Sequence, residues 1–169
     1  MPRMKTNLAA WGLAAILAVV VLGGAIPASV WLRCYWIARY RGEWANLHGA
    51  FLIGAPLAGI ILHSANLQSA DLRAADLHSA YLNYATLAYG RLDGANLRSA
   101  VVRRCSLQHA SLRGADLTGA DLTWALLDGA DLTDARLTGA RYSRHTCWPE
   151  GFNPRKRGAA PVNIDGPDQ

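Results

Sequence analysis

The sequence predicts an all-β solenoid, stacked like a β-helix, preceded by one transmembrane α-helix. Three observations carry that prediction. Leucine recurs at every fifth residue from Leu47 to Leu137 except at Val102, alanine recurs two places ahead of it, and an uncharged apolar run extends from Thr6 to Leu32. The chain therefore divides into a membrane anchor with a basic and aromatic edge over residues 1–42, a repeat unit over 43–144, and a cap with a disordered tail over 145–169.

The apolar run lies between Lys5 and Arg33 and exceeds the ~20 residues that cross a bilayer's hydrocarbon core. Trp31, Arg33, Tyr35, Trp36, Arg39, Tyr40 and Arg41 gather at its C-terminal edge, as interfacial aromatic and basic anchors do. A cleaved signal peptide ending near Ala28 is the competing reading and would leave a secreted or periplasmic solenoid. The run is longer than the ~7–15 residues of a signal-peptide core, which favours a retained single-pass anchor. Arg3 and Lys5 on one side nearly balance Arg33, Arg39 and Arg41 on the other, so orientation leans only slightly toward cytoplasmic repeats.

Charge is distributed unevenly. Residues 1–42 carry five bases and no acid, residues 43–144 carry nine of each, and the remainder carries three of each. All the excess positive charge flanks the apolar run. That placement suits a lipid bilayer as partner, and no nucleic-acid partner is expected. Cys34, Cys105 and Cys147 are few and far apart, which supports neither a disulfide framework nor a zinc site.

The five-residue period excludes the ordinary elements. On an α-helix five residues rotate the chain by about 500°, which scatters successive leucines around the axis. On a straight strand residues five apart point to opposite faces. Within one unit, however, alanine and leucine lie two apart and share a face. All leucines enter one core only if the chain turns a corner in each unit. Small residues often fill the place two after leucine, among them Gly49, Gly54, Gly59, Ser64, Ser69, Gly94 and Gly114, as suits tight turns. Asp or Asn often stands before leucine, as in Asn46, Asn66, Asp71, Asp76 and Asp116, where it can bond to backbone at a bend. The core ladder is represented by Leu67, Leu72, Leu77, Leu97, Leu117 and Leu122.

Ser-Ala-Asn-Leu-Gln, Ser-Ala-Asp-Leu-Arg and Gly-Ala-Asp-Leu-Thr resemble the A-(D/N)-L-x-x motif of the pentapeptide-repeat family over residues 45–144. The resemblance implies a right-handed quadrilateral β-helix with four repeats per coil, hence about five coils and a rod ~24 Å tall at ~4.8 Å per layer. The run Thr146–Pro154 is similar to a terminal segment that follows such repeats in bacterial members. Trp148 and Phe152 are placed to cap the last coil, with Pro149 and Pro154 stopping further pairing. At the opposite end Phe51, Ile53, Pro56, Ile60 and Ile61 make outward positions unusually apolar.

With four repeats per coil, residues twenty apart stack. One outward column then reads Tyr84, Arg104, Trp124, Arg144, and a neighbouring one sets Tyr89 over His109. The first is the expected partner contact, since Trp, Tyr and Arg are favoured interface anchors. A third column, Arg73, Asp93, Arg113, reads as an alternating-charge ladder. His48, His63 and His78 fall fifteen apart, on different faces, and cannot converge on a metal.

No nucleophile–base pair or phosphate loop stands out, and an Ala/Leu interior leaves no substrate cavity. The expectation is a non-enzymatic, cofactor-free scaffold in a bacterial membrane, binding a protein partner, with homo-oligomerisation left open. Topoisomerase protection by DNA mimicry is the alternative that the resemblance suggests. It calls for an acidic surface, whereas the repeats are neutral.

Overall fold

The computed structural model describes residues 43–163, and they form one continuous coil of stacked turns ending in a folded-back tail. Each unit follows the same local course. The alanine and leucine enter the axis, and the next two residues make a turn closed by a backbone bond such as Ala50 N–H to Leu47 C=O at 3.0 Å. The second turn residue has positive φ at every fifth position from Trp44 to Gly139, the left-handed geometry that a type II turn requires at that place. Asp and Asn side chains before leucine accept the backbone N–H two residues on: Asn66 from Gln68 at 3.1 Å, Asp116 from Thr118 at 3.0 Å, Asp131 from Thr133 at 2.9 Å. The bend is thus held by its own local chemistry.

Four such corners close one coil, because bridges join residues twenty apart in parallel from Asn46↔Asn66 to Asp121↔Arg141. The bonds run along the rod axis. Leu47 N–H donates to Asn66 C=O at 2.7 Å, Gly49 N–H to Gln68 C=O at 2.8 Å, and Asn66 N–H to Ala45 C=O at 2.9 Å. Pro56 can donate no such bond and sits in the first described coil, on the ladder's edge, where a proline is tolerated. Asp76, one layer on, donates to Ala55 C=O at 3.0 Å.

The interior is one ladder of apolar side chains. Leu67, Leu72, Leu77, Leu117 and Leu122 have no exposed surface, and Leu97 has almost none. Val102 and Cys105 fill their columns in the buried state. Ile60 stands in the alanine column and is buried, not outward as its apolar neighbours suggested; Phe51, Pro56 and Ile61 do face outward.

The last coil departs from the period. Leu126 bridges Cys147, twenty-one residues away, because one extra residue is accommodated between Tyr142 and Thr146. Ser143 and Thr146 are buried there and bonded into the backbone: Thr146 Oγ1 donates to Leu122 C=O at 2.9 Å, and Ser143 N–H donates to Thr146 Oγ1 at 3.1 Å.

Beyond this turn the chain caps the rod and then rejoins it. Trp148 and Phe152 pack on the core, Tyr142 meets Trp148 edge-on at 5.6 Å, and Trp148 stacks on Phe152 at 5.3 Å. A 3-10 helix, Pro154–Arg157, is capped by Asn153, and strand β2 (Ala160–Pro161) pairs in parallel with strand β1 (Arg141–Tyr142). The prolines therefore do not stop pairing, and the tail expected to be disordered has defined structure as far as Asn163. Pro149 and Pro154 act at a turn and at a helix start, where no ladder donor is needed. The expected transmembrane helix, its edge residues Trp31 to Arg41 and Cys34 lie outside the described residues. Among the described residues no helix is long and apolar enough to cross a membrane.

Candidate functional site

The four corners of the coil carry different side chains at the same left-handed backbone position. One corner bears Gly54, Ala74, Gly94, Gly114 and Asp134, and another bears Gly59, Ser79, Ser99, Gly119 and Gly139. A third bears Gly49, Ser69, Tyr89, His109 and Gly129. The fourth bears Trp44, Ser64, Tyr84, Arg104 and Trp124. A side chain at positive φ costs ~1–2 kcal/mol because its Cβ crowds the following carbonyl. On the fourth corner, bulky groups occupy the position where glycine fits best.

Along that corner the side chains form a continuous stack. The His63 ring meets Tyr84 edge-on at 5.3 Å. Arg104 Nη1 donates to the Tyr84 hydroxyl at 2.8 Å, and its guanidinium lies 5.5 Å from the Tyr84 ring centre and 5.2 Å from that of Trp124. His145 then lies flat on Trp124, with centroids 3.8 Å apart and planes 9° apart. Arg144, expected at the end of this column, is displaced from it. The extra residue in the last coil moves the register by one, so His145 takes the stacking place and Arg144 Nε donates to His145 Nε2 at 3.0 Å. Each exposed cation–π contact contributes ~0.5–1 kcal/mol. Tyr84 and Arg104 are exposed, while Trp124 and His145 are half-buried.

On the adjacent corner Tyr89 stacks on His109 at 5.1 Å and 16°. The His109 ring covers Gly129 so closely that a Cβ there would collide with Nδ1.

Family relationship is settled by the repeat itself. Pentapeptide repeats match residues 43–78, 60–98, 75–114 and 105–141. The chain belongs to the pentapeptide-repeat family. Among solved structures, a pentapeptide repeat protein of the Arabidopsis thaliana thylakoid lumen is 27% identical with a TM-score of 0.57, over 58% of this chain and 68% of that one. A pentapeptide repeat protein from Nostoc Pcc 7120 is 31% identical with a TM-score of 0.39, over 79% of this chain and 94% of the other. No curated protein matches the chain. The family's coil is a right-handed β-helix, and pentapeptide-repeat proteins are generally structural or interaction proteins.

The other expected features of this pentapeptide-repeat protein resolve into surface chemistry. Along their column Arg73, Asp93 and Arg113 make no close ion pair, and Asp93 acts on Arg73 only as a more distant attracting charge. Arg73 holds Asp71 through two bonds at 2.8 and 2.7 Å, Arg113 pairs with Asp131 at 3.1 Å, and Asp93 accepts from the Ser111 hydroxyl. Pairing to the neighbouring column wins because the Asp or Asn before each leucine points toward the turn and meets the arginine there. His48, His63 and His78 lie at separate places, and no metal-type cluster occurs among the described residues. The His145 contribution was hidden in the sequence, because only a break in the leucine column, at Tyr142, marks the shift.

Proposed function

We propose that this chain is a non-catalytic interaction scaffold, tethered to a bacterial membrane by residues 1–42, with its repeat rod on the cytoplasmic side. The corner formed by Tyr84, Arg104, Trp124 and His145 is its protein-binding strip. One observation carries the reading: large aromatic and guanidinium groups stand at strained backbone positions on this corner, while two other corners hold no aromatic or basic group. The contacts within the stack offset part of this strain, and strained backbone positions cluster at functional surfaces. Tyr, Trp and Arg contribute most to binding when a partner desolvates them. The apolar run and basic flank of residues 1–42 support the tether. The neutral balance of residues 43–144 argues against DNA mimicry.

The test is photo-crosslinking in intact cells from a photoreactive residue replacing Tyr84, with one at Ser99 on another corner as control. A discrete adduct from position 84 that disappears in the Arg104→Ala/Trp124→Ala background supports the strip. Equal labelling from both corners, or an adduct insensitive to those substitutions, rejects it.

A further inference from the structure

We infer that the first coil of the solenoid is itself a lipid-contacting collar, which seats the rod upright in the bilayer interface. The inference rests on the proposed tether and extends it from residues 1–42 to the described fold.

Charge is graded along the axis. Successive twenty-residue layers starting at Glu43 hold one, three, three, five and five charged residues, and from Trp44 to Ala70 there is no Asp, Glu, Lys or Arg at all. The exposed large apolar side chains follow the opposite gradient. Trp44, Phe51, Ile61, Tyr81, Tyr84 and Tyr89 all lie in the N-terminal half of the rod.

Their distribution around the axis identifies the partner. In the first layer Trp44 projects from one corner, Phe51 and Pro56 from two successive faces and Ile61 from a third. The fourth face carries Asn46 and His48, which are polar but uncharged. A protein docking from the side would meet one face. A planar slab meets a rod at one height on every face, and this collar sits at one height. Tyr81 and Tyr89 stand about one to two layers above it, at the level where amphipathic rings favour the headgroup region. An interfacial element buries ~5–10 Å, which matches about one to two layers of ~4.8 Å. The end bearing the collar is also the end entered from the apolar run through Arg39 and Arg41, whose charges suit anionic headgroups.

The test uses the full chain with Cys34→Ser, Cys105→Ala and Cys147→Ser, reconstituted in phosphatidylcholine/phosphatidylglycerol vesicles. A spin label is placed in turn at Phe51→Cys, Pro56→Cys and Ile61→Cys. Controls on the same three faces at higher layers are Ser111→Cys, Arg136→Cys and Val101→Cys. The collar predicts a several-fold higher ratio of oxygen to nickel-chelate collisions at all three first-layer labels than at their controls. Equal aqueous exposure in both layers overturns it. So does shielding from both reagents, which would mean cover by protein, and so does lipid exposure on one face only. Alkaline carbonate extraction separates the two readings. A chain that washes off the vesicles takes the tether down with the collar, whereas a retained chain with water-exposed labels sinks the collar alone.

Discussion

The imidazole of His145 lies flat against the indole of Trp124, 3.8 Å between centroids, and it reaches that place only because the last coil is one residue longer than the rest. The stack on this corner therefore ends in a ring that the twenty-residue period assigns to Arg144. His145→Ala should lower stability by ~0.5–1.5 kcal/mol beyond lost area, the worth of an aromatic pair. Urea denaturation of single and double variants with Trp124→Ala reads this directly. Additive losses would show that the two rings do not interact.

Gly129 and Gly139 share a left-handed backbone, at φ 67° and 68°, but differ in what lies in the neighbouring layer. Alanine at Gly139 meets nothing within 4 Å and bears only the conformational cost, whereas alanine at Gly129 drives into His109. Gly129→Ala should be the more destabilising, by roughly the ~0.5–1.5 kcal/mol of the Tyr89–His109 stack it disrupts. Adding His109→Ala should erase the difference between the two sites. Thermal midpoints of the four proteins check it.

Burial pushes the Cys105 thiol well above the ordinary range, while Cys147 is exposed. Thiolate is the reactive form. In the Cys34→Ser chain a disulfide reagent should modify one thiol in the native state, and mass spectrometry should place it on Cys147. Modification of Cys105 should appear only in denaturant. Fast native labelling of Cys105 would mean that the ladder opens readily between Val102 and Leu107.

Two carboxylates bind protons less readily in the folded chain. The Thr133 hydroxyl and backbone N–H, with Arg113, hold Asp131 low. At Asp116 burial pushes upward, but the Thr118 hydroxyl and N–H together with Arg98 outweigh it. A depressed folded pKa gives stability that is present above the unfolded value, near ~4, and is lost as pH falls through the folded one. Stability should therefore fall on acidification below pH ~4, and the fall should be shallower in Asp116→Asn/Asp131→Asn. A double variant with an unchanged acid profile would assign the dependence elsewhere.

The coil was legible because a five-residue column has only one way to bury every leucine, and Leu47 to Leu137 keep that column almost without fault. The corner stack was legible as far as Trp124, since stacking follows from the period alone. Arg144 was misplaced because Ser143 and Thr146 replace the alanine and leucine that would mark the register, and both are buried by bonding to backbone, not by apolar character. The return of the tail was hidden for a related reason. Ala160 and Pro161 carry no repeat signature, and they are held beside β1 by backbone bonds from Ala160 N–H to Ala140 C=O at 2.8 Å and from Val162 N–H to Tyr142 C=O at 2.7 Å. Pairings made by main-chain atoms leave little trace in side-chain pattern.

Because bridges join positions twenty apart, a change of length acts on this rod as an angle. Gaining or losing one five-residue unit between Tyr84 and Arg104 would turn everything beyond it by about a quarter revolution, leaving each leucine inside while sending Trp124 round to another side. Only a whole circuit of four units lengthens the rod without rewriting its surface. The fold thus tolerates growth in small steps, but the pattern on its exterior survives only large ones.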